Sequence, residues 1–239
     1  MNIFLLDNDF RINASYYVDK HVVKMPLEYS QMLSTAYWVT KELGFCPREL
    51  DRNEIKAVLD SYVPGTFYKP THINHPCNVW VRSSRENFLW LLELSSHLEK
   101  EWLYRFPKPA GTSHKAVTVA RNIPYPRSIL PLGLTELPQC VPEECQAEKT
   151  IDAYKKYYNT HKKHIHKWTK RQVPIWVAIT KITPIKTDLL FNANTIFQTV
   201  KSIAKPSTYS VWIKKRDHGD KKEEEAIKKN DYITWREMK

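Results

Sequence analysis

Residues 14–43 constrain the fold more than any other segment. Apolar and polar side chains recur there with a helical period, and Gly44 is the residue type that ends a helix. At about 100° per residue, His21, Lys24, Glu28, Gln31 and Thr35 fall within a sector of about 80°. Tyr17 joins them one turn earlier, while Val22, Val23, Leu27, Tyr29, Leu33 and Tyr37 spread over the opposite side. Pro26 either interrupts this helix or restarts it. The stripe has two readings, a solvated face or the wall of a site. Met25 and Met32 border it, and it mixes histidine, glutamate and lysine where a solvated face repeats Glu–Lys pairs. Together with a second cluster downstream, this favours the wall.

The rest of the first 177 residues also reads as helical. Residues 51–63 form a helix stopped by Pro64 and Gly65, and a loop carrying Pro70 and Pro76 leads into a long helix over about 77–106. A short helix follows, capped by Thr112 or Ser113. Residues 123–149 hold five prolines and form an irregular connection. Residues 150–171 return to helix, with Thr150 or Asp152 near its cap. The expected fold class is mainly α: a single helical domain over 1–177, opened by the short extended segment MNIFLLDNDF. A basic C-terminal extension, 178–239, adds 13 basic and 8 acidic residues, and its pattern does not specify a structure. No apolar run reaches the roughly 18 residues of a membrane span. The N-terminal segment lacks the basic lead of a secretory signal. Cysteines at 46, 77, 140 and 145 form no CxxC, as expected of free thiols in a reducing cytoplasm.

Charge points to a partner. Lys and Arg number 37 against 26 Asp and Glu, a formal +11, which favours a polyanion. No amphipathic basic anchor suggests a membrane surface, so nucleic acid is the expected partner. In YKPTHINHPCNVWVRSSRENFLW (68–90), His72, Asn74 and His75 sit in a proline-bounded loop of the kind that carries chemistry. Lys69, Arg82 and Arg85 are natural phosphate ligands, Asn87 can donate to a base edge, and Tyr68 or Trp80 can stack on a base. In YKKYYNTHKKHIHKWTKR (154–171), basic residues alternate with aromatics, the pattern of a backbone-tracking groove; Lys163, Lys167 and Arg171 are its candidate contacts. The bland alternative is a basic outer face with Tyr154, Tyr157, Tyr158 and Trp168 packed inward. His72, His75 and Cys77, with His21, Cys140 or Cys145 as a fourth, offer zinc-type donors. Their spacing matches no established knuckle and Pro76 stiffens the turn, so no metal or cofactor is expected.

The ordered strings DKHVVKM, YKPTHINHPCNVW with SRENFLWLLE, AYKKYY and RQVPIW resemble a family of small phage-type proteins often labelled pyrimidine-dimer DNA glycosylase-like. The resemblance covers residues 1–177. Asp19, His21 and Glu28 look like the D-x-H and following Glu of helical pyrimidine-dimer glycosylases. There the resemblance implies attack by an N-terminal amine on the sugar C1′, assisted by the glutamate. Asn2 after Met1 is expected to impede methionine removal, which turns an imine mechanism toward Lys24 or Lys20.

The expectation is therefore a DNA glycosylase, with or without lyase activity, acting on a damaged or modified pyrimidine flipped from the helix. It would work in the cytoplasm of a bacterial or phage-infected cell. Glu28 or Asp19, with Asp7 a third option, would stabilise an oxocarbenium-like sugar and activate water. His21 would protonate the departing base, and Lys24 would supply the amine. The alternatives are a DNA pyrimidine hypermodification transferase, a non-catalytic nucleic-acid-binding protein, and an enzyme of free nucleotides.

Overall fold

The computed structural model describes residues 1–124 and 129–179. The C-terminal extension lies almost wholly outside them. Among the described residues the protein is mainly α, with eight α-helices, two short 3-10 turns and no strand. No described helix is long and apolar enough to cross a membrane.

Helix α1 (Phe10–Tyr16) starts at Asp9, whose carboxylate accepts from the Ile12 amide at 2.9 Å. Helix α2 (Asp19–Leu43) runs without a break through Pro26 and ends where Gly44 takes φ +74°. The proline removes one helical hydrogen bond, but the helix is buried on several sides and tertiary packing holds it. One such tie is the Ser30 hydroxyl, placed at 2.7 Å from the carbonyls of both Pro26 and Ala116. Helix α3 (Arg52–Asp60) opens with a capping box between Asp51 and Glu54.

The pattern over 77–106 resolves into two helices, α4 (Pro76–Val81) and α5 (Arg85–Arg105). The break at 82–84 has a physical cause. Ser84 caps α5 at the Asn87 amide, and the 129–149 connector docks over the junction. Asn87 binds Trp80 O and Thr135, Glu86 accepts from the Gly133 amide, and the Arg85 amide donates to Pro131 O. Helix α6 (Lys115–Arg121) has His114 as its cap, one residue after Ser113 and two after Thr112, the hydroxyls proposed from sequence. Helix α7 (Thr150–Thr160) is shorter than the expected 150–171; a 3-10 turn at Lys163–Ile165 and extended chain follow, before α8 (Ile175–Ile179).

Helix α2 is the central element. It packs along α5 and carries α6, α4 and α3 on its other sides. Val22, Met25, Tyr29, Met32 and Leu33 meet Leu91, Leu94 and Leu98 of α5 in the main core. Ile3, Phe4 and Leu6 of the N-terminal segment enter the same core, as extended chain but not as a strand. A smaller core at the far end joins Trp38 and Val39 to Val58 of α3 and Ile73.

Two buried guanidinium groups tie irregular chain to this frame. Arg82 has no exposed surface and donates to the carbonyls of Cys46 (2.9 Å), Ile73 (2.6 Å) and Arg48 (2.6 Å). Burial lowers its pKa to about 10, so it stays charged at neutral pH. Arg105 donates to Tyr17 O, Ser15 O, Asp19 and Glu101, and Arg171 grips Glu101 from outside.

Candidate functional site

The first apolar residues carry the start of the chain inward, and this sets the site. With Ile3 and Phe4 in the core, the Met1 ammonium nitrogen lies 3.9 Å from Glu28 Oε2. On the other oxygen, Lys24 Nζ sits at 2.6 Å, the partner one turn back on α2. Glu28 is largely sheltered, its side chain 12% exposed, whereas Lys24 is 68% exposed. One carboxylate thus stands between two amines.

The 68–78 loop lies along the same face of α2. Thr71 exchanges hydrogen bonds with Thr35 Oγ1, the Tyr68 amide donates to Ser34 Oγ, and Trp38 Nε1 donates to Tyr68 O. Asn78, fully buried, donates to Thr71 O and His72 O and approaches Met1 Sδ at 3.7 Å. This bracing holds His72 at φ +50°. His75 caps α4, accepting the Cys77 amide at Nδ1. Its pKa is lowered, by burial first and then by the Met1 ammonium, so the ring is the neutral form near pH 7. The stripe on α2 and the histidine loop therefore make one surface, with Glu28, the two amines and His75 gathered on it.

The basic segment runs beside the start of α2. The Asp19 amide donates to Lys167 O, and Lys162 and Lys24 both act electrostatically on His21. Lys163, Lys167 and Lys69 are exposed. Tyr68 is half-buried, its phenol pKa raised by burial.

Several residues that read as chemical in the sequence are committed elsewhere. Asp19 accepts from Arg105 at 3.0 Å and from the Thr169 amide and hydroxyl at 2.9 and 2.7 Å. Burial pushes its pKa up, but the Thr169 bonds and Arg105 outweigh that and leave it lowered. It is an anchor for the 167–171 segment, not a base. His21 is buried, stacked on Phe4 with ring centroids 4.5 Å apart, and bonded through Nδ1 to Tyr158 OH at 2.6 Å. Burial, then Lys162 and Lys24, push its pKa down to about 3, so at neutral pH it is not the imidazolium that would act as acid on a departing base.

Arg82 is enclosed by carbonyls and cannot meet a phosphate. Asn74 spends its amide on the Leu50 backbone, Asn87 on the connector, and Trp80 is buried with Nε1 donating to Thr135 O. Arg171 is paired with Glu101, and the backbone of Arg85 holds the connector. Asp7 accepts from the Asp9 amide at the start of α1. A cleft of about 390 Å³ lined by Leu5, Trp80, Trp90, Leu134, Thr135 and Thr150 does not include Glu28. The cleft wall also carries Glu136, Glu148 and Lys149, but no ion pair joins them, whereas Glu28 stands within 4 Å of two amines.

Sequence reasoning named the N-terminal amine, through the resemblance, and Cys140, as one of three possible fourth zinc-type donors, but did not place Met1 beside Glu28 or Cys140 beside Cys77. The signal for the first was present: a short apolar segment that must be buried drags its own end inward. The second is adjacent to Cys77 across 63 positions, with Sγ–Sγ 3.6 Å, and no spacing rule announces it.

The fold and site define a helical protein with a sheltered carboxylate between two amines. Comparison with protein families, curated proteins and solved structures finds no match.

Proposed function

We propose that the protein is a DNA glycosylase that releases a damaged or modified pyrimidine through an amine nucleophile held at Glu28. The observation that carries this reading is the placement of Glu28 Oε2 at 3.9 Å from the Met1 amine and Oε1 at 2.6 Å from Lys24 Nζ. An amine attacks only when unprotonated, and a neighbouring carboxylate is the group that takes the proton. The amine's lone pair forms a bond to C1′, and the C1′–N bond to the base breaks with its electrons leaving on the base. Glu28 accepts the ammonium proton and then assists opening of the sugar to an imine. The motif resemblance, the net charge of +11 and the exposed Lys163 and Lys167 beside α2 support a DNA substrate.

The test is incubation with two DNAs, one of ordinary bases and one carrying modified pyrimidines, followed by mass spectrometry for free base. Borohydride reduction captures an imine as a covalent protein–DNA adduct. Peptide mapping of that adduct identifies Met1 or Lys24 as the nucleophile. Glu28→Gln is expected to abolish adduct formation while leaving binding intact. Salt-sensitive binding with neither released base nor adduct on either DNA would move the reading to a binding protein.

A further inference from the structure

We propose that His75, Cys77 and Cys140 form a binding site for a zinc-class cation, a Cys2His donor set with its fourth position open. One ligand atom from each of the three lies within 4.8 Å of the others. The two sulfurs are 3.6 Å apart. At a Zn–S distance of about 2.3 Å, two thiolates on a tetrahedral ion stand about 3.8 Å apart. The sulfurs need not move to accept the metal, and the imidazole closes by up to about 1.3 Å to reach its own tetrahedral edge.

The chemistry of the donors agrees. Cys77 is buried and donates its S–H to Cys140, which is partly buried. The S–H···S bond between the two thiols occupies the place that a soft cation takes. His75 is fixed beside Cys77 by the bond from the Cys77 amide to Nδ1, and the metal would take that Nδ1 lone pair in place of the amide. Binding releases two protons: each thiol gives one to solvent, each sulfur donates a pair to the metal, and the site becomes electrically neutral apart from its neighbours. That balance lets the nearby Met1 ammonium remain. Solvent fills the fourth position, as in open sites built on two cysteines and a histidine.

The three donors come from separate parts of the chain, the loop before α4, its first turn and the connector. A metal there clips the connector to the histidine loop. The site does not depend on the glycosylase reading, and its test reads metal and not base release.

Full-length protein is reduced, stripped with chelator and titrated with zinc; cobalt(II) replaces zinc for spectroscopy. Retention of one metal per chain is expected, with the thiolate-to-cobalt charge-transfer band and the d–d intensity of a tetrahedral ion. Cys140→Ser, at a partly buried position that should fold, is expected to weaken zinc binding by more than about 100-fold, beyond what loss of a supporting residue costs. Cys46→Ser and Cys145→Ser are expected to bind normally. Absence of a thiolate–cobalt band in the folded wild-type protein overturns the proposal. So does a Cys77–Cys140 disulfide that persists under the reducing conditions, or metal binding equal in wild type and Cys140→Ser.

Discussion

Lowering the pH from 7 to 5 should cost the protein about 2 kcal/mol through His21 alone. The imidazole is held at about 3 in the fold, by burial and then by Lys162 and Lys24. In the unfolded chain it titrates near 6.5. Above that value both states are neutral and the full stability is present. Below it the unfolded chain takes up a proton that the fold refuses, so stability falls as pH drops through 6.5 and keeps falling toward 3. At about 1.4 kcal/mol per unit, the 1.5 units between 6.5 and 5 give about 2 kcal/mol. For a chain of this size that lowers the melting temperature by about 4–8 °C. The assay is urea unfolding at pH 7, 6 and 5 for wild type and His21→Gln. His75 and His114 are also lowered, burial being the first cause in both, and they titrate in the same window. The difference between the two proteins isolates His21. An equal loss in His21→Gln refutes the reasoning, as does an NMR titration placing the folded imidazole near 6.5.

Three further outcomes separate structural charges from those facing a partner. Arg82→Met leaves the carbonyls of Cys46, Ile73 and Arg48 without their donor and should cost at least about 3 kcal/mol in urea unfolding. The fraction that stays folded should bind DNA with an unchanged salt slope. Asp19→Asn removes one of the two carboxylates on fully buried Arg105, Glu101 remaining, and is expected to destabilise by about 1.5–3 kcal/mol, read by calorimetry, with base release per folded molecule retained. Lys163→Gln and Lys167→Gln should each reduce the slope of log affinity against log salt by about one, without altering melting temperature.

Much of the frame was legible because it follows local rules. The period of 14–43 gives α2 and puts Lys24 and Glu28 on one face, and Gly44 marks the end of that helix. Asp51 with Glu54, and Pro76 after His75, announce helix starts. What failed is non-local. Arg82 and Asn87 look like ligands for phosphate or base, but carbonyls and a connector far along the chain occupy them. The break between α4 and α5 joins a local cap, Ser84, to that same connector docked over the junction. Asp19 and His21 sit beside Glu28 in sequence, but they point to Arg105 and Tyr158, partners that no spacing reveals.

The Arg82 guanidinium also has a consequence for how the protein breathes. The 46–48 and 71–75 segments touch different helices, but both hang their carbonyls on this one cation. Neither can lift off without stranding a charge for the other to neutralise. Their amides should therefore exchange with deuterium as one cooperative unit, with a common opening free energy. The histidine loop thus shares part of its bracing with residues 46–48, and loosening that segment would slacken the loop from a distance.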